Sequence, residues 1–72
     1  MIDRQYTADK LSELRQKKGL TQAEAAKAIG VSLSAYNQYE SGEKTPRDDI
    51  KLNIASLYDR SVQFLFFKKN TH

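Results

Sequence analysis

Residues 19–42 read GLTQAEAAKAIGVSLSAYNQYESG, and this stretch decides the fold. Thr21 is followed three positions later by Glu24, a T-x-x-E capping box in which each side chain satisfies the other residue's backbone N–H at a helix start. Ala23, Ala25, Ala26 and Ala28 are strong helix formers. Ile29 closes their apolar face, and Gly30 is the stop expected where the backbone must take positive φ. Ser32 opens a second helix, with Val31 before it and Tyr36 after it as a hydrophobic-staple pair, and Gly42 ends it. Two short helices, residues 22–29 and 33–41, joined by Gly30-Val31-Ser32, make a helix-turn-helix unit. Ala26 is small enough for close helix approach, and Ala25, Ile29, Val31, Tyr36 and Tyr39 stand where the inner faces need apolar groups. The agreement among these positions carries more weight than any one of them.

Upstream, Thr7 is expected to cap a first helix that runs to about Lys18, with Tyr6 and Leu11 as its staple and Leu11 and Leu14 facing inward. Gly19 follows it. Arg15, Lys17 and Lys18 lie in its last turns, where cations complement the helix dipole. Downstream, Thr45-Pro46 is expected to open a fourth helix with proline at the first helical position. Ile50, Ile54, Leu57 and Tyr58 give that helix an apolar stripe at helical spacing. Ser61 opens a short fifth helix carrying Val62, Phe64, Leu65 and Phe66. No period-2 alternation bounded by turn signals occurs, so the expected class is all-α, a compact five-helix bundle containing a helix-turn-helix.

The chain has 72 residues and reads as a single domain over residues 1–72, with a short tail at 67–72. A domain this small buries only about 60% of its unfolded surface and gains from a disulfide, a metal or a partner subunit. It has no cysteine, and its one histidine is His72. Disulfides and thiolate or histidine metal clusters are therefore excluded, no metal or cofactor is expected, and dimerisation is the remaining support. There is no run of about 18 apolar residues, and Met1-Ile2-Asp3-Arg4-Gln5 lacks the apolar core of a signal peptide. A cytoplasmic protein without membrane contact is expected.

Net charge is +3, which favours an anionic partner without naming one. Residues 1–18 carry net +2 and residues 19–46 net −1. The helix-turn-helix is thus not the basic part of the chain.

The segment Gly19-Leu20-Thr21-Gln22 through Gly30-Val31-Ser32, then Tyr39-Glu40-Ser41-Gly42 and Pro46, resembles the lambda-repressor-like (Cro/CI, Xre-type) DNA-binding domains. The likeness covers about Leu11 to Phe66. It implies a five-helix fold that binds double-stranded operator DNA through its third helix and forms a homodimer. It implies that Gln22, at the start of the second helix, holds a phosphate, and that Leu33, Ser34, Asn37 and Gln38 face the major groove. It further implies that Arg15 and Glu40 form a structural ion pair between the first and third helices. Lys51 and Arg60 depart from the pattern, standing where the family usually has apolar residues, and Ala25 replaces a commoner leucine.

Helical spacing supports the same reading face independently. With Tyr36 and Tyr39 inward, Ser34, Asn37, Gln38 and Ser41 share the outer surface. Asn and Gln pair bidentately with adenine, and Leu33 can touch a thymine methyl. No Arg or Lys lies between Val31 and Glu43, so the arginine–guanine pair is absent from this helix. Phosphate affinity must come from its flanks: Lys18, Lys44 and Arg47, with Gln22 and the hydroxyls of Ser32, Ser41 and Thr45.

Other features carry blander readings. Asp48 and Asp49 suit the first turn of a helix and have no partner histidine, so no catalytic residue and no enzyme is expected. Lys68 and Lys69 read as a solvated tail. Phe64, Leu65, Phe66 and Phe67 cannot all face one small core. Either two pack inside and two sit loosely, or Leu52, Leu57, Tyr58, Phe64, Phe66 and Phe67 contribute to a dimer seam. Two functions remain open: a sequence-specific transcriptional regulator, in all a repressor on a pseudo-palindrome, or a protein-interaction module on the same scaffold, such as an antitoxin or anti-repressor partner. No small-molecule effector is evident. The uncharged Asn/Gln face predicts that selection from random duplexes returns a half-site rich in A·T pairs; a G·C-rich half-site would refute that reading.

Overall fold

The computed structural model describes residues 3–67, which form five helices. They are α1 (Arg4–Lys18), α2 (Gln22–Ile29), α3 (Leu33–Ser41), α4 (Asp48–Tyr58) and α5 (Val62–Phe66). The Thr21–Glu24 capping box forms in both directions, at 2.8 and 3.1 Å. Ser32 and Ser61 cap α3 and α5 through their hydroxyls.

Two helix starts differ from expectation. Helix α1 begins one turn earlier, because the Asp3 carboxylate accepts from the Gln5 and Tyr6 N–H groups at 3.1 Å. Thr7 lies buried within the helix instead of capping it, and its hydroxyl donates to the Leu65 carbonyl at 2.8 Å. Helix α4 begins two residues after Pro46. Arg47 is extended (φ −66, ψ 164), so the proline ring packs into the interior as part of the loop and the helix starts at Asp48. That helix also ends without glycine: Asp59 takes φ 53, ψ 48, and the Arg60 N–H closes the turn on the Ala55 carbonyl. Aspartate tolerates the left-handed region better than most residues.

The core takes Leu11 and Leu14 from α1, Ala25, Ala26 and Ile29 from α2, Tyr36 and Tyr39 from α3, Ile50, Ile54 and Tyr58 from α4, and Leu65 and Phe66 from α5. Ala25 on α2 and the bulky Tyr36 on α3 are both fully buried in this one core. The register of α4 is set by Ile50, Ile54 and Tyr58, while Leu57 packs only at the core's edge. Asn53 ties α4 to the helix-turn-helix by donating to the Ile29 carbonyl at 3.1 Å. The tail lysines Lys68 and Lys69 lie outside the described residues.

Within the core, the Tyr36 and Tyr58 hydroxyls hydrogen-bond each other at 2.6 Å. Burial pushes both phenols up; for Tyr36, the bond to Tyr58 and the nearby Glu40 carboxylate add to the rise. Their folded pKa values thus lie above the unfolded value of about 10. The stability they contribute is complete below about pH 10 and is lost as pH rises toward the folded values. Between about pH 8 and pH 11 the thermal midpoint of the parent should therefore fall more steeply than that of Tyr36→Phe/Tyr58→Phe, in which both partners are made apolar together. Equal slopes in calorimetry would count against this account.

Candidate nucleic-acid interface

Helix α3 turns Tyr36 and Tyr39 into the core, which fixes what it presents outward. Leu33 is 46% exposed, Ser34, Asn37 and Ser41 are exposed, and Gln38 is half-buried. The left-handed Gly30 (φ 82) makes the turn that swings α3 away from α2. A Cβ there would meet no atom within 4 Å, so the requirement is for the dihedral angle and not for space.

One carboxylate locks this unit to the rest of the fold. Glu40, on α3, accepts from Arg15 Nε at 2.7 Å and from Arg15 Nη2 at 3.3 Å. Arg15 Nη1 reaches the Leu20 carbonyl at 2.9 Å, in the segment that leads into α2. The Gln22 carboxamide also donates to Glu40, at 3.1 Å. The side chains of Arg15 and Glu40 are only 16% and 6% exposed, and the bond to Glu40 raises the Arg15 pKa.

The flanking groups sit as follows. Lys18, Lys44, Thr45 and Arg47 are exposed. Arg47 lies 3.5 Å from Asp49 with both side chains in water, a pairing that contributes little. Ser32 accepts the Ala35 N–H, which leaves its own proton to donate. The Ser41 hydroxyl lies 3.1 Å from both the Gln38 carbonyl and the Glu43 carboxylate, so it is engaged within the loop.

The aromatic cluster resolves unevenly. Tyr58 and Phe66 are buried in the core and present no surface to a partner: α5 packs between α1 and α4 and drives Leu65 and Phe66 inward together. Leu57 is half-buried. Leu52, Phe64 and Phe67 are left exposed.

Two residues take partners that the sequence does not announce. Arg4 donates to the Glu43 carbonyl at 2.9 Å, across 39 positions, and brings a cation to the loop after α3. Lys51 is largely buried, 3.6 Å from Asp48, with its ammonium 5.6 and 5.7 Å from the Phe66 and Phe67 ring centres. Its stem covers apolar surface while its head lies over ring faces, which is how a lysine occupies an otherwise apolar position. The i,i+3 spacing from Asp48 was the one local signal for it. Arg60 is likewise placed over Phe64, at 6.0 Å.

Removing the Glu40 carboxylate would leave the Arg15 guanidinium without its partner in a largely enclosed site. Glu40→Ala should destabilise the fold by about 3 kcal/mol, read as a lowered thermal midpoint. A midpoint equal to the parent's would show that the pair is not structural.

A family model described as Helix-turn-helix matches residues 11–65. The chain is 36% identical over 59 residues to the HTH-type transcriptional regulator ImmR of Bacillus subtilis (strain 168), covering 82% of this chain and 46% of that protein. It is 37% identical over 57 residues to the cryptic phage CTXphi transcriptional repressor RstR of Vibrio cholerae, covering 79% and 51%. The chain thus spans about half the length of the curated relatives it matches. Among solved structures, the solution structure of an SOS-response transcriptional repressor, LexA, from Eubacterium rectale superposes with a TM-score of 0.81 at 26% identity, over 97% of this chain and 81% of that one. With its capping box, left-handed turn and buried tyrosines in place, and a family match across most of its length, the chain belongs to the Cro/CI-type, Xre-like helix-turn-helix family.

Proposed function

We propose that the chain is a sequence-specific DNA-binding transcriptional regulator, a repressor that binds a pseudo-palindromic operator as a homodimer with α3 in the major groove. The observation that carries this reading is the outward face of α3, where Leu33, Ser34 and Asn37 are exposed while Tyr36 and Tyr39 anchor the opposite face. Asn37 and Gln38 are the base-reading donors and acceptors, suited to adenine. The roles of these relatives as a transcriptional regulator and a phage repressor support the same function.

Base readers without charge give specificity and little affinity, so the cations around α3 hold the duplex. Lys44 and Arg47 follow α3, Lys18 precedes α2, and each is exposed. Gln22 joins them at the start of α2, where unpaired backbone N–H groups and the helix dipole favour phosphate. In a dimer, two α3 helices would enter successive major grooves about one helical turn apart. Leu52, Phe64 and Phe67 are the exposed apolar groups available for the seam.

Four to six phosphate contacts per dimer give a slope of log affinity on log salt of about −4 to −5. Lys44→Ala should make that slope shallower by about 1 per site while weakening all duplexes alike. Asn37→Ala and Gln38→Ala should leave the slope unchanged and each lose about 1–3 kcal/mol of preference for the selected duplex. A mobility-shift titration at several salt concentrations reads all three. No binding by the parent would instead favour a protein-interaction module, and a monomer at high micromolar concentration in sedimentation would end the dimer.

A further inference from the structure

We propose that Glu40 is a positioning residue for DNA recognition: by holding one N–H of the Gln22 carboxamide, it keeps the phosphate-binding end of α2 in register with the reading face of α3. This role rests on the DNA-binding function proposed above.

The Gln22 side-chain nitrogen carries two hydrogens. One goes to Glu40 Oε1 at 3.1 Å, and Gln22 is only half-buried, so the second has an open side. The acceptor is itself fixed. Arg15 clamps both Glu40 oxygens, at 2.7 and 3.3 Å, and is in turn anchored to the Leu20 carbonyl at 2.9 Å. The carboxamide therefore cannot rotate freely without breaking a charge-assisted bond to a carboxylate that is 6% exposed. Glu40 also lies one helical turn beyond Asn37 on α3, so the same carboxylate that orients Gln22 is rigidly tied to the base-reading side chains.

The consequence concerns specificity. Phosphate contacts set where a protein sits on the duplex, and base contacts read sequence only when that register is right. A Gln22 that swings loose still finds phosphate on any DNA. It no longer places Asn37 and Gln38 at one fixed offset from the backbone. Loss of the Glu40–Gln22 bond should thus weaken binding to the correct sequence more than to an arbitrary one. Its effect should pass through Gln22 and be absent when Gln22 is already gone.

A double-mutant cycle on DNA affinity separates this role from support of the fold. Gln22→Ala and Glu40→Gln should each weaken binding to a duplex selected from a random pool by about three- to tenfold, the worth of one hydrogen bond. Binding to a scrambled duplex of the same composition should change less. The double variant should bind the selected duplex no more weakly than the weaker single variant. The salt slope should stay the same throughout, because no cation is removed. In contrast, the thermal loss from Glu40→Gln should persist in the Gln22→Ala background, since the pair with Arg15 is untouched there.

Additive losses of DNA affinity, or parent affinity in a folded Glu40→Gln protein, would overturn the role of Glu40 alone. A parent that binds no duplex overturns the DNA reading and this role with it. Should Glu40→Gln not fold, nitrogen-labelled parent protein gives the same decision by NMR. One Gln22 side-chain proton should exchange slowly in the free protein and stay unshifted on adding the selected duplex, while its geminal partner shifts. Two protons that exchange and shift alike would refute the proposal.

Discussion

A single carboxylate, Glu40, holds three helices to one another. Arg15 brings α1 to it, Gln22 brings the start of α2, and Glu40 itself belongs to α3. A charge so enclosed is tolerable only when its lone pairs are met by donors, and here three N–H groups meet it. That requirement dictates more than stability. It places the end of α1, the start of α2 and the last turn of α3 at one point, which is the geometry a helix-turn-helix needs if its second helix is to stand clear of the body. The tyrosine pair deeper in the core, Tyr36 with Tyr58, extends the same polar line toward α4. Among the described residues, no buried side-chain nitrogen or oxygen lacks a partner.

The other end of the molecule depends on hydroxyls and one lysine. Tyr6 and Thr7 on α1 donate to the carbonyls of Phe64 and Leu65. A five-residue helix has too little length to be stable by itself, so these bonds and the burial of Leu65 and Phe66 hold α5 in place. Lys51 completes the attachment from α4, its ammonium over two phenylalanine rings and beside Asp48. The result is that α5 buries Leu65 and Phe66 in the core and leaves Phe64 outside, together with Phe67 just after the helix and Leu52 on α4. An exposed apolar group of this size on so small a domain fits the self-association proposed for DNA binding.

Much of this was legible in the chain because the signals are local. The Thr21–Glu24 capping box, the serine caps at Ser32 and Ser61, and the left-handed glycines are each decided within four or five residues, and the tyrosines of α3 show their inward face by helical spacing. The misreadings share a cause. Thr7 resembles a cap by its neighbours, but the stronger acceptor Asp3 lies one turn earlier and the Thr7 hydroxyl is claimed by a carbonyl 58 positions away. Thr45-Pro46 resembles a helix start, but the proline is drawn into the interior. Tyr58 and Phe66 resemble surface aromatics until α5 is docked.

The sequence by itself determined the helix-turn-helix: its caps, its turn, the uncharged polar face of α3 and the absence of cations from that helix, because each follows from short-range backbone chemistry and a 3.6-residue period. Only the tertiary structure decided which groups converge. The Gln22 amide on the Glu40 carboxylate, Arg4 on the loop after α3, Lys51 over the α5 rings and the division of the four C-terminal hydrophobic residues all join positions far apart in the chain. Such contacts are chosen by the need to satisfy buried polar groups and fill the core at once, a condition that no local stretch of residues expresses. The opening stretch from residue 19 to residue 42 therefore names the fold, while the packing around Glu40 fixes how its two helices are held to each other.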